Sequence, residues 1–457
     1  MENLSIRKLI SLTLIRCIHL EHLPSLAELV LLKNLALMIL PKLQQIGRSS
    51  HMSSTSYMEL LLPSSLETLV VKHCQGLREL PILPSSLVYL KIIDVGLTKL
   101  PVIGTFCNET IETKSSKCLD IQVCSCPSLT SLEGSLIDQK EYSKIFRDIH
   151  ISNCGHLQSL SSTFEQMNGL RRLYIQSCPM LTILRDTEDK LLPSSLTDLT
   201  IWDCGDMERP LLGSLQQLTN LSSLQLIHCS RLVSLPSADV FKNLRSLKDI
   251  YIANCENLSS LGGLGSIPSL CLLSIASCSY LEEAVSSPRP EGSASEDDHL
   301  VLHKNSLTIN ELKIDLPSLL LVEPLKNLCH TRKLEIEDGT EMESLPEQWL
   351  LQNKSSLQYL SICKAESLES LQPCMQDLSS LEQLHLFGAR KLRSLPYLPS
   401  SLQYLGIKEC DSELEEKSRE NGSPEWNKIS IIPRVQIGIS VNPLPSSSVF
   451  TCFLSSL

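Results

Sequence analysis

The chain has 457 residues, 18 of them cysteine, and its 40 basic and 51 acidic residues leave a net charge of −11. An acidic balance lacks the basic stripe that phosphate backbones need, which argues against a nucleic-acid binder. No run of about 18 apolar residues is present, so no membrane-spanning helix is expected.

From the N-terminus onward one phrase returns: Leu-x-x-Leu-x-Ile-x-x-Cys-x-x-Leu-x-x-Leu. The cleanest copies run from Leu170 through Leu173, Ile175, Cys178 and Leu181 to Leu184, and from Leu221 through Leu224, Leu226, Cys229 and Leu232 to Leu235. Aligned on the residue two after the second leucine, sixteen copies are centred on Leu14, Leu37, Val71, Ile92, Val123, Ile151, Ile175, Ile201, Leu226, Ile252, Ile275, Ile314, Ile336, Ile362, Leu386 and Ile407. Most are 21 to 28 residues apart, with longer gaps at 37–71, 92–123 and 275–314 where inserted loops are expected. This period is that of leucine-rich repeats. One copy is too small to bury its own apolar face, so copies must stack into a solenoid.

Within each copy Leu-x-Ile has period two, which predicts a short strand with both apolar residues inward and the residues between them in solvent. Successive strands should pair in parallel. Leu-Pro-Ser-Ser-Leu, starting at Leu62, Leu83, Leu192 and Leu398, is turn chemistry and predicts irregular return segments, with a helical turn in the longer ones. The expected fold is therefore an α/β leucine-rich-repeat solenoid, a horseshoe with a parallel concave β-sheet and a mostly irregular or short-helical convex side.

Ten copies carry cysteine three residues after the aligned position: Cys17, Cys74, Cys126, Cys154, Cys178, Cys204, Cys229, Cys255, Cys278 and Cys410. The other six have Leu40, Val95, Pro317, Gly339, Ala365 and Ala389. Small or apolar replacements suit a buried corner, where free cysteine acts as a small hydrophobe able to reach a neighbouring carbonyl. Metal ligation or a disulfide would not tolerate them. No Cys-x-x-Cys pair occurs, and Cys124 with Cys126 is the one close pair. So many unpaired thiols suit a reducing compartment, the cytoplasm or nucleus.

Candidate boundaries follow composition. Residues 1–284 form a cysteine-regular repeat block, 285–304 an exposed acidic, Pro/Ser-rich loop, 305–437 further repeats with a C-terminal cap, and 438–457 a disordered tail. Asn-x-Ser/Thr triplets, as at Asn108, Asn220 and Asn353, are expected by chance in a serine-rich chain and carry no weight. Histidines such as His150, His228 and His385 sit on different repeats, no nucleophile has a placed base, and Asp297 and Asp298 lie in the polar loop. Neither an enzyme, a cofactor, a metal nor a small-molecule substrate is expected.

Binding in a solenoid is expected on the strand face. There Tyr174, Trp202 and Tyr251 fall within four consecutive repeats of a chain only 4% aromatic. His150, Arg171, Arg172, Asp203, Ile227, His228, Lys248 and Asp249 should surround them. Tyrosine, tryptophan and arginine are the types enriched at binding hot spots, although aromatics also simply suit strands.

The isoleucine-and-cysteine repeat, the Leu-Pro punctuation and the end of the last repeat together resemble the C-terminal leucine-rich-repeat region of plant intracellular immune receptors, most nearly the coiled-coil, nucleotide-binding class of cereals. The ending is the most specific part: after Cys410 come a charged stretch, Glu413 to Glu420, then Gly422, Trp426, Lys428, Ile429, Ile432, Pro433, Val435 and Ile437. The likeness covers about residues 1 to 437. It implies a protein partner, either a pathogen effector, a host target or the receptor's own nucleotide-binding domain. The phosphate-loop phrase Gly-x-x-x-x-Gly-Lys-Ser/Thr of that domain is not in this chain. The chain therefore reads as a fragment, a truncated product or a split repeat protein. The competing readings are a general scaffold or ubiquitin-ligase substrate adaptor, and a non-functional receptor remnant.

Overall fold

The computed structural model describes residues 8–47, 62–104, 118–160, 164–181, 192–205, 214–281, 307–340 and 342–438. The loops expected in the long gaps, the polar loop at 285–304 and nearly all of the 438–457 tail lie outside the described residues. The chain divides into two compact units, Met1–Leu270 with Ser277–Tyr280, and Cys271–Ala276 with Leu281–Leu457.

The first unit is a parallel ladder. Its rungs are β1 (Ser11–Ile15), β3 (Asn34–Met38), β5 (Thr68–Cys74), β6 (Tyr89–Val95), β7 (Leu119–Cys124), β8 (Phe146–Ser152), β9 (Arg172–Gln176), β10 (Asp198–Trp202), β11 (Ser223–Ile227) and β12 (Asp249–Ala253). Two-residue strands β2 (His22–Leu23) and β4 (Gln45–Ile46) pair with each other on the return side. Register follows the sequence period: Leu14 faces Leu37, which faces Val71, then Ile92, Val123, Ile151, Ile175, Ile201, Leu226 and Ile252 in turn. A slip by one residue would turn every apolar side chain outward, so this register is strongly specified.

The second unit repeats the design with β13 (Leu272–Ala276), β14 (Glu311–Ile314), β15 (Lys333–Ile336), β16 (Tyr359–Ile362), β17 (Gln383–Phe387), β18 (Tyr404–Lys408) and β19 (Arg434–Ile437). Ile275, Ile314, Ile336, Ile362, Leu386 and Ile407 stand opposite one another. Ile437 then faces Ile407, so a further rung lies inside the stretch that the sequence assigned to a cap. The fold of both units is a leucine-rich-repeat solenoid.

Return segments are irregular, punctuated by short helices such as Ala238–Phe241, Glu347–Gln352 and several single 3-10 turns. Before β19 the helices Ser412–Arg419 and Pro424–Ile429 are capped by Asp411 and Ser423, whose side chains accept from first-turn amides.

The core is the repeat phrase itself. Leu170, Leu173, Ile175, Cys178 and Leu181 are all at most 1% exposed. Most rungs then end in a left-handed residue two after the aligned position, β14 being an exception with Leu316 at φ −115°. Arg16, Ile39, His73, Asp94, Ser125, Asn153, Ser177, Asp203, His228, Asn254, Ser277, Lys364 and Glu409 have φ between 48° and 58°, and Gly388 has 74°. Short polar side chains dominate this column because they tolerate that conformation best. The reversal keeps the ladder bonded: the amide of Ser177 donates to Trp202 at 2.7 Å, and that of Asp203 to Ile227 at 2.9 Å.

The cysteine corner follows one residue later. The Cys204 thiol donates to the carbonyls of Trp202 at 3.1 Å and of Ile175, one rung back, at 3.3 Å. Cys74, Cys229, Cys255 and Cys410 make the same pair of contacts. The thiol thus fills the bend and partly satisfies carbonyls that the turn leaves open.

Candidate protein-binding face

Outward residues on the strands of the first unit sit one before and one after each aligned position. The residues just before it in β8 to β12 run His150, Tyr174, Thr200, Gln225, Tyr251. Those just after it run Ser152, Gln176, Trp202, Ile227, Ala253. Both columns are more enclosed than an open strand face would be: Ile227 is 8% exposed and Ala253 0%. Parallel strands stand only about 4.8 Å apart, so each side chain is shielded by its neighbours in the column.

The expected site residues form two clusters rather than one patch. In the first, the His150 and Tyr174 rings meet edge to face with centroids 4.3 Å apart, and the Tyr174 hydroxyl donates to Gln176 at 2.9 Å. Burial, and then the charge of Lys91, hold the His150 imidazole down at about 4, so it is neutral at pH 7. Burial pushes the Tyr174 phenol up to about 12. In the second cluster, Trp202 stacks on His228 with centroids 5.9 Å apart and planes inclined by 14°. His228 and Asp203 both occupy the left-handed column, which turns them to the end of the strands beside Trp202.

Tyr251 is not brought to either tyrosine or tryptophan. It shares a column with Tyr174 but stands three ladder steps away, about 14 Å, beyond Thr200 and Gln225. Lys248 is exposed just ahead of β12, and Asp249 begins that strand half-buried.

Arg171 and Arg172 are both exposed and belong to the opposite, N-terminal end of the strands. Arg171 donates to the Ser195 carbonyl at 3.2 Å. The guanidinium of Arg172 grips the Asp148 carboxylate through both oxygens, its Nε to Oδ1 at 2.7 Å, and Arg147 grips Asp120 in the same way at 3.1 and 2.6 Å. This alternating acid–base row, Asp120–Arg147–Asp148–Arg172, was not visible in the repeat phrase. Its signal was a charge three residues before the aligned position in consecutive repeats, at Asp120, Asp148 and Arg172, with Arg147 four before it. Such exposed pairs contribute little stability but fix which charges a partner meets.

Among the described residues no group of three or more His, Cys, Asp or Glu is placed to hold a metal ion. Nor is any helix among them long and apolar enough to cross a membrane.

No protein-family profile matches the chain. Disease resistance protein RPS4B of Arabidopsis thaliana is 30% identical over 207 residues, 44% of this chain and 17% of that protein. A probable disease resistance protein of the same plant is 24% identical over 383 residues, 80% of this chain and 20% of that protein. The chain thus spans about a fifth or less of the length of these relatives. Among solved structures, a leucine-rich-repeat protein of Leptospira interrogans superposes with a TM-score of 0.44 at 18% identity, covering 94% of this chain and 96% of that one. By sequence, then, this leucine-rich-repeat chain is similar to part of the disease resistance proteins of a plant.

Proposed function

We propose that the chain is the protein-binding leucine-rich-repeat module of a plant intracellular immune receptor. In this reading it recognises a pathogen effector, or docks on a nucleotide-binding switch domain, during the defence response in the cytoplasm or nucleus. The similarity to plant disease resistance proteins supports the immune setting. The observation that carries the binding role is the Trp202–His228 stack beside Asp203, with the His150–Tyr174 pair two rungs away on the same face. Large amphipathic rings held rigid by neighbours lose little entropy on contact and give much buried area.

The test is joint replacement of Tyr174, Trp202 and Tyr251 by alanine. Pull-downs from infected and uninfected tissue supply the partner, and its affinity is then measured for the wild type, the triple variant and a return-side control, Lys242→Ala. Loss of about 2 kcal/mol or more in the triple variant alone is expected. Equal affinity with an unchanged melting curve would remove this face from the binding reading.

A further inference from the structure

The second unit carries an outward sheet surface with a different chemistry. Its acidic end is β14 and β15. Glu311 and Lys313 stand beside Lys333 and Glu335 in register, and Asp315 and Glu337 follow just past the two strand ends. Glu335 accepts from both ammonium groups at 3.0 Å, and Lys333 also reaches Glu311 at 3.7 Å. Four carboxylates meet two ammonium groups, so negative charge is left over. Part of the excess is on Glu337, whose half-buried carboxylate makes no hydrogen bond and no ion pair among the described residues. Burial, with Glu335 and Asp315 as neighbours, holds that carboxyl above the usual carboxylate range; Lys313 and Lys364 act in the other direction.

The adjoining end is aromatic. The His385 ring lies between Tyr359 and Tyr404, at 5.0 and 4.8 Å. Following the column from Glu337 leads through Cys363 to Phe387, with Lys408 beyond it. One side of this surface already receives a cation. Lys333 sits 5.1 Å above the Tyr359 ring while paired with Glu335. The Glu337 side offers an acid with no ammonium paired to it among the described residues, and Phe387 stands two rungs further along the same column.

We propose that the outward face of β14 to β18 docks a partner-protein segment that presents an arginine to Glu337, with Asp315 beside it, and an apolar neighbour to Phe387. Charge complementarity selects a basic peptide and disfavours nucleic acid. A planar guanidinium can pair with a carboxylate through two parallel donors. The inference rests on the chain being a protein-binding module, but it concerns a different surface from the Trp202 cluster.

Selection of a random heptapeptide phage library on the full-length chain tests it. Enriched clones should carry arginine next to an apolar residue. A synthetic peptide of the leading clone should lose about tenfold in affinity for Glu337→Gln. It should retain affinity for Glu337→Asp, weaken for Asp315→Asn, and bind Trp202→Ala unchanged. Thermal melts confirm that each variant is folded. Clones without a basic residue, no enrichment, or affinity indifferent to Glu337→Gln overturns the inference. Clones that bind only through Trp202 overturn it too, while leaving the proposed function standing.

Discussion

The hydroxyl of Ser195 donates to the carbonyl of Leu170, one rung back, at 2.7 Å, and lies 3.1 Å from that of Met167. Ser195 is the second serine of a Leu-Pro-Ser-Ser-Leu phrase. In the other three phrases Ser65 donates to Leu32, Ser86 to Leu66 and Ser401 to Leu381, at 2.7 to 2.8 Å. Proline opens a turn closed by the next leucine's amide, as in Leu196 to Pro193 at 3.2 Å. The serine then clamps one coil to the previous one. Ser195→Ala should cost about 1 to 2 kcal/mol, because a buried carbonyl loses its donor. Urea unfolding measures it, and Ser194→Ala, with no such bond among the described residues, should cost less.

That clamp shows where legibility in the sequence ended. The aligned column, its register and the buried cysteine corner could be read directly, because one apolar period dictates all three. The serine's partner could not, since the turn residues say where the chain bends and not which carbonyl waits on the neighbouring coil. Strand β19 was hidden for a related reason: Arg434–Ile437 alternates, but it follows Pro433 and carries no leucine phrase. The candidate face was half legible. Sequence spacing placed Tyr174 and Tyr251 in one column three repeats apart, but not the ring contacts of His150 with Tyr174 and of Trp202 with His228. The cluster around His385 was missed because its tyrosines lie two residues earlier on the neighbouring strands, outside the column being followed.

The environment of His150 makes stability depend on pH. Its ring is pressed against Tyr174 and its Nε2 is buried with no partner among the described residues. In the unfolded chain a histidine titrates near 6.5, about the ordinary value. Folding lowers this to about 4, so the unfolded state takes up the proton first. The His150 contribution is therefore fully present above pH ~6.5 and drains away as pH falls toward ~4. Urea midpoints at pH 7 and pH 4.5 should fall further for the wild type than for His150→Phe. An identical fall in both would mean that burial of this ring is not what depresses it.

The cysteine corners predict a sharp contrast in reactivity. Burial pushes the Cys204 thiol up to about 11, and its sulfur is enclosed with 2% of the residue exposed. Thiolate, the reactive form, is scarce there. Cys118, just ahead of β7, is exposed. Brief iodoacetamide treatment of the native protein at pH 8, mapped by mass spectrometry, should label Cys118 and leave Cys74, Cys178 and Cys204 unmodified until denaturant is added. Cys204→Ala should cost on the order of 1 kcal/mol, the loss of one well-packed heavy atom. Fast labelling of Cys204 in the folded protein would contradict its role as a packing residue.

Asn353 gives the strongest single-residue prediction for the second unit. Although it stands in an Asn-x-Ser frame, it is 0% exposed and serves as an internal bracket. Its Oδ1 accepts from the Thr331 amide at 3.0 Å, and its Nδ2 donates to the Leu328 and Trp349 carbonyls, each at 2.9 Å. The bracket ties the helix Glu347–Gln352 to the preceding coil, where the Trp349 indole also donates to Leu325 at 3.1 Å. Asn353→Ala strands two buried backbone groups, the Thr331 amide and the Leu328 carbonyl, while the Trp349 carbonyl keeps the backbone amide of residue 353 at 3.3 Å. Each orphaned group costs about 1 kcal/mol or more, so a total near 2 kcal/mol is expected. Asn353→Asp should be comparably damaging, because a carboxylate cannot donate to two carbonyls and is itself costly to bury. Chemical denaturation would register the loss, and hydrogen exchange should show faster opening at Thr331 before it does in the first unit.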